Sequence, residues 1–151
     1  AEAIMVLDDV TGFFSEADYL EFIHPYLKDI FRSFPEQMKI FHNDTDNPVC
    51  YTYLEDLGVN IFNFTHLQEI GRVRDLCGSK VCLLGNVDPI SLISSTPESI
   101  YAAGQKCIAD FVAHTAGSSG LILGLGGGTS MNAVKENIDA IIRSAKDFKM
   151  I

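Results

Sequence analysis

At 151 residues with a net charge of −9, the chain is one domain by length, or part of a larger one. Hydrophobic residues make up 47% and charged residues 21%, the balance of a globular protein with a substantial core. The 11 basic residues are scattered, which argues against nucleic acid as a partner, and no apolar run is long enough for a membrane span.

Ala3–Leu7 is a continuous apolar run of strand length, the pattern of a strand buried on both faces, and Asp8-Asp9 ends it. After a Thr11-Gly12 turn, Ser15 and Asp18 have the spacing of a capping box and start a helix with Leu20, Phe22 and Ile23 on its apolar face. Pro25 breaks it near His24 and opens a second helix, to about Phe34, with Tyr26, Leu27, Ile30 and Phe31 inward. Met38–Phe41 is the next strand. Pro48 opens a helix with Tyr51, Tyr53, Leu54 and Leu57 inward, capped by Gly58.

Val59–Phe64 is the third strand, followed by a helix from about Leu67 to Cys77 that stops at Gly78. Lys80–Leu84 is the fourth strand and runs into G-N-V-D-P. A short helix at Ile90–Ile93 precedes a longer one, capped by Thr96 with Pro97 at its first position, that continues to about His114. Gly117–Gly120 is a loop and Gly120–Gly124 the last strand, leading into L-G-G-G-T-S. The final helix, about Val134–Phe148, carries Ile138, Ile141, Ile142 and Ala145 on its apolar face. Strict alternation of apolar strands and helices implies an α/β fold with a parallel sheet and right-handed crossovers. Five such units are too few for an eight-stranded barrel of about 250 residues, so the fold is an open doubly wound sheet or the back of a barrel.

Parallel sheets keep their chemistry at the carboxyl ends of the strands. Those ends carry Asp8-Asp9, His42-Asn43-Asp44, Asn63, Asn86 with Asp88, and Gly126-Gly127-Gly128. Side chains alternate along a strand, so His42 and Asp44 project to one side. Imidazole and carboxylate both serve as metal ligands, as hydrogen-bonding or acid–base groups, or as caps on the following segment. Asp8 and Asp9 are placed to share a proton or orient a cationic group, or one of them caps the turn. Asn86 is expected to face the rim, and the three glycines to bring backbone N–H groups close to a ligand. His24, His66 and His114 read as surface or cap residues. The four cysteines show no C-x-x-C spacing, which points to reduced structural thiols in a cytoplasmic protein. The opening A-E-A-I-M-V-L-D-D has no basic segment or cleavage-type site, so it is read as a strand whose upstream part is missing and not as a signal peptide.

Five segments, in order, resemble the uroporphyrinogen decarboxylase superfamily: D-D-V-T-G-F-F-S with H-P-Y-L-K downstream, I-F-H-N-D, L-G-V-N-I-F-N-F, L-L-G-N-V-D-P, and G-L-G-G-G…K-E-N-I-D-A. The resemblance implies the C-terminal five β/α units of a (β/α)8 TIM barrel. It also implies an enzyme, either a porphyrinogen decarboxylase (a carboxy-lyase) or a corrinoid-linked methyltransferase. Decarboxylases of this group carry a histidine where the match here is Gly127, and the zinc-dependent methyltransferases draw a cysteine ligand from the same region. The methyltransferases' H-x-C pair matches His42-Asn43-Asp44, so His42 is kept, Asp44 replaces a thiolate, and no third ligand is evident. Asp8 matches the decarboxylases' strand-end aspartate, which faces the substrate.

These residues give an expected site. Asp8, His42 and Asp44 are catalytic candidates; Asp9, Asn63, Asn86, Gly126, Gly127 and Gly128 bind substrate; His42 and Asp44 are candidate ligands for zinc. Because the residues associated with decarboxylation are absent, the resemblance favours methyl transfer between a small methylated substrate and a corrinoid on a partner protein. The alternatives are decarboxylation of a tetrapyrrole, and a non-catalytic module that binds a ligand or assembles with a partner. Five strands leave sheet edges and an inner apolar face uncovered, so the chain alone is expected to self-associate or to pair with an N-terminal half.

Overall fold

The structure, a computed structural model, describes residues 1–115 and 119–149, so part of the expected Gly117–Gly120 loop lies outside the described residues. The apolar runs form five strands: β1 (Ala3–Leu7), β2 (Met38–Asn43), β3 (Ile61–Phe64), β4 (Cys82–Val87) and β5 (Leu121–Leu125). All adjacent pairs are parallel and the order across the sheet is β1-β2-β3-β4-β5. A doubly wound sheet reverses its order at a switch point. This one never reverses, which is the winding of a barrel wall.

Between the strands lie α1 (Glu16–Phe22), α2 (His24–Arg32), α3 (Ile70–Cys77), α4 (Ser91–Ser94), α5 (Pro97–Thr115) and α6 (Lys135–Asp147). The expected caps form. Ser15 Oγ accepts from the Asp18 backbone N–H at 3.2 Å, Pro25 sits in the first turn of α2, and Thr96 Oγ1 accepts from the Ser99 N–H at 3.3 Å. No described helix is long and apolar enough to cross a membrane.

Helices cover one face of the sheet. There Phe41, Phe62, Phe64 and Leu83 are fully buried, packed against Phe31, Leu54, Val73 and Phe111. The phenyl rings of Phe41, Phe62 and Phe64 form a stack across β2 and β3, with centroids 6.0 and 5.8 Å apart. On the other face Met5, Leu7, Met38 and Ile122 stand exposed. β1 is therefore not buried on both faces as its apolar run suggests. It is an edge strand with helices on one side only.

Three further expectations change. The segment opened by Pro48 forms a 3-10 turn (Tyr51–Tyr53) and further turns in place of an α-helix. Its buried residues Tyr51, Leu54 and Leu57 are spaced by three, which suits a tighter winding. In α2 only His24, Leu27 and Phe31 are buried, and Tyr26 and Ile30 face solvent. In α6 the buried stripe is Asn137, Ala140, Ile141 and Ser144, while Ile138, Ile142 and Ala145 are exposed. α6 is turned this way by polar and small groups. Asn137 Nδ2 donates to the carbonyls of Leu92 and Ser95, and Gly104 on α5 lies so close to Ser144 that a Cβ there would meet its Oγ at 2.1 Å.

Candidate functional site

β2 extends through His42, in register with Leu7 on β1 and Asn63 on β3, so these three project from the uncovered face. Alternation then sends Asp9 to that face and Asp8 to the other. Asp8 spends its carboxylate on a turn: Oδ1 accepts from the Thr11 N–H at 3.1 Å and Oδ2 from the Thr11 hydroxyl at 2.6 Å. Asp8 is thus a cap, and the acid that meets the imidazole is Asp9. Its Oδ1 lies 3.8 Å from His42 Nε2, and Asp44 Oδ2 lies 3.9 Å from the same nitrogen.

The loops after β1 and β2 are stitched together to hold this geometry. Asn43, fully buried, donates to the Asp8 carbonyl at 2.7 Å and accepts from Thr45, while the Asp44 N–H donates to Asp9 Oδ1 at 3.1 Å. Asn47 donates to the carbonyls of Gly12 and Phe14. Gly12 is required at this crossing, because a Cβ would sit 1.9 Å from Thr45 Oγ1.

Asp9, His42 and Asp44 each offer one ligand atom, and the three atoms lie within 4.8 Å of one another. Burial pushes the Asp44 carboxyl above its ordinary range, and the charge and hydrogen bond of Asp9 add to the rise. His42 is only 9% exposed, and its Nδ1 lies 2.6 Å from Asn63 Oδ1. Asn63 Nδ2 in turn donates to the carbonyls of Leu84 at 2.8 Å and Leu125 at 3.0 Å, so one polar chain runs from β2 to β5.

The remaining candidates divide. Gly127, with φ of +134°, faces the cluster: a Cβ built there would lie 3.2 Å from Asp44 Oδ2. Gly126 serves packing, since a Cβ would lie 2.2 Å from the His66 backbone nitrogen, whose N–H donates to the Gly126 carbonyl. Gly128 touches nothing within 4 Å of such a Cβ. Asn86 does not face the rim. Its Nδ2 donates to the carbonyls of Gln68 at 2.6 Å and Thr65 at 3.3 Å, and its Oδ1 accepts from Cys107 on the helical side. Asp88 Oδ1 accepts from the Ile90 N–H at 2.8 Å, a capping role. A cavity of about 340 Å³ opens beside the cluster, bounded by Asn63, Leu84, Leu125, Gly127, Ile138 and Ile142. That cavity accounts for part of the exposed isoleucine stripe of α6.

His66, set aside as a cap in the sequence, is more enclosed than that. Its ring lies against the Gly126 carbonyl at 3.3 Å and Asp88 at 3.7 Å, and it borders a second cavity of about 250 Å³ with Asn86 and Cys107. Its place just beyond the end of β3 was the available signal.

Known proteins match this chain over nearly its whole length. The family model of uroporphyrinogen decarboxylase (URO-D) matches residues 1–148. The chain belongs to the uroporphyrinogen decarboxylase family. Proteins named uroporphyrinogen decarboxylase from Chlorobium phaeovibrioides and Chlorobium luteolum are 32% and 30% identical to it, each over 97% of this chain and 42% of their own length. A methyltransferase from Methanosarcina mazei has the same fold, with a TM-score of 0.82 at 18% identity, again over 97% of this chain and 42% of that one. The chain spans about two-fifths of the relatives it matches, and its five parallel strands are the C-terminal portion of the barrel. Within this family the geometry gives Gly127 meaning: a side chain at that position would point into the Asp9–His42–Asp44 cluster.

Proposed function

We propose that the full-length protein is a cytoplasmic enzyme that transfers a methyl group between a small methylated substrate and a corrinoid held by a partner protein. The observation that carries this reading is the convergence of Asp9, His42 and Asp44 around one point, beside a Gly127 that brings no imidazole. A decarboxylase of this family is expected to need a histidine there. Methyl transfer needs an acceptor or donor atom to be held and polarised, and an imidazole with two carboxylates can do both.

The donor set also fits a divalent cation, because imidazole nitrogen and carboxylate oxygen are both zinc ligands and three donors leave a position open. Asp9 then supplies the third ligand that the sequence comparison left unassigned. A bound zinc ion would contribute Lewis acidity toward the methyl acceptor or donor. The chain's own residues do the rest: Asn63 orients His42, the Asp44 N–H orients Asp9, and Leu84, Leu125 and Ile138 form an apolar wall beside the cluster.

Decarboxylation of uroporphyrinogen is the second reading, favoured by the names of the relatives at 30 and 32% identity. One experiment separates the two. Full-length protein is incubated with a methylated corrinoid protein and thiol acceptors, and in parallel with uroporphyrinogen. The proposal expects methyl loss from the corrinoid and no CO2 release; CO2 release without methyl loss overturns it.

A further inference from the structure

We infer that Asn63 is a positioning residue that fixes the tautomer of His42, so the neutral ring presents its Nε2 lone pair, not an N–H, to whatever enters between Asp9 and Asp44. An amide nitrogen can donate but not accept, and Asn63 Nδ2 has two carbonyls to serve, those of Leu84 and Leu125. Carbonyls accept only, so the amide cannot be flipped without setting Oδ1 against both. Asn63 Oδ1 is therefore the atom that meets His42, and at 2.6 Å it requires a hydrogen on Nδ1. In the neutral ring the unprotonated nitrogen is then Nε2.

That nitrogen is aimed at two carboxylate oxygens, 3.8 and 3.9 Å away, and neither can donate to it when ionised. Nε2 and the two carboxylate oxygens converge on one point, an arrangement that suits a cationic centre. The ligand class is thus a cation, and a divalent metal ion is the source that suits an imidazole and two carboxylates. A histidine whose other nitrogen is held by a fixed acceptor is also the arrangement that orients metal-binding imidazoles. Asn63 is part of β3 and is 5% exposed, and its partners are main-chain atoms of β4 and β5, so the sheet itself enforces the orientation.

The role of this nitrogen in turnover rests on the proposed methyl transfer, but the tautomer does not, and the two are tested separately. Full-length protein is labelled with ¹⁵N-histidine, and two-bond ¹H–¹⁵N correlations are recorded where the ring is neutral; the spectrum of His42→Gln assigns the His42 signals. The Nδ1–H pattern is expected in the wild type. It is lost in Asn63→Ala, which removes the acceptor that Nδ1–H meets. Zinc affinity, measured by calorimetry, falls about 10–100-fold in Asn63→Ala. A wild-type Nε2–H ring overturns the inference, as does an Nδ1–H pattern unchanged in Asn63→Ala. Absence of methyl transfer with the Nδ1–H pattern intact overturns only the functional reading.

Discussion

The two faces of the sheet are built on different chemistry. On the helical face, β2 and β3 bury Phe41, Phe62 and Phe64 completely, and the stack of rings is sealed by α2 and α3. On the opposite face the buried side chains of the same strands are His42 and Asn63, and they are held by hydrogen bonds to each other and to carbonyls of β4 and β5. Around them Met5, Leu7, Met38 and Ile122 remain open. One face stores stability in apolar area; the other spends its order on orienting polar atoms.

The contrast is sharpest for aromatic truncation. Phe62→Ala removes the middle ring of the stack and is expected to cost about 3–5 kcal/mol in denaturant unfolding of the full-length protein, with the site geometry lost only through unfolding. A cost below about 1 kcal/mol would break the division between the faces. The adjacent aspartates test it at the level of single residues. Asp8→Ala removes acceptors from both Thr11 groups and is expected to destabilise by about 0.5–2 kcal/mol while leaving turnover nearly intact; Asp9→Asn should do the reverse. Equal effects of the two on turnover would mean that alternation does not separate their roles.

Met5→Ser, Leu7→Ser and Met38→Ser each alter stability of the 151-residue chain by no more than about 1 kcal/mol, because those side chains are about half exposed or more. The same changes reduce self-association of that chain in size-exclusion chromatography. A wild-type chain that elutes as a monomer would show that the open face is not adhesive. The smallest effect lies at the ion group on α2. Burial lowers the affinity of His24 for a proton despite Asp56, and Lys28 holds Asp56 below the usual carboxylate range. Both shifts are downward, so the unfolded chain binds the extra proton in each case and stability falls on acidification. His24 contributes as pH drops below about 6.5 and Asp56 below about 3.9. His24→Gln flattens the first part of that fall, by under about 1 kcal/mol in thermal or denaturant melts.

The strands were readable because each is an uninterrupted apolar run between turn residues; the runs allow an open sheet or a barrel wall alike, and the five resembling segments favour the barrel. What a run cannot say is which of its faces will be covered. Ala3–Leu7 looks identical whether helices lie on one side or both, and the isoleucines of α6 look inward until Asn137 and Gly104 decide the rotation. The site was half legible. Alternation alone places His42 and Asp44 on one side, and the strand ends bring Asn63 to the same rim. That Asp9 and not Asp8 meets the imidazole depends on register, Leu7 beside His42, which no single strand records. Asn86 was assigned to the rim because the carbonyls of Thr65 and Gln68 that hold it come from a distant loop.

The central claim is that Asp9, His42 and Asp44 act as one centre on the open face. The most direct test is His42→Gln in the full-length protein, with methyl transfer from the methylated corrinoid protein and thermal unfolding measured on the same preparation. The account predicts a fall in turnover of about 100-fold or more with an almost unchanged melting temperature. Turnover within twofold of the wild type would contradict it.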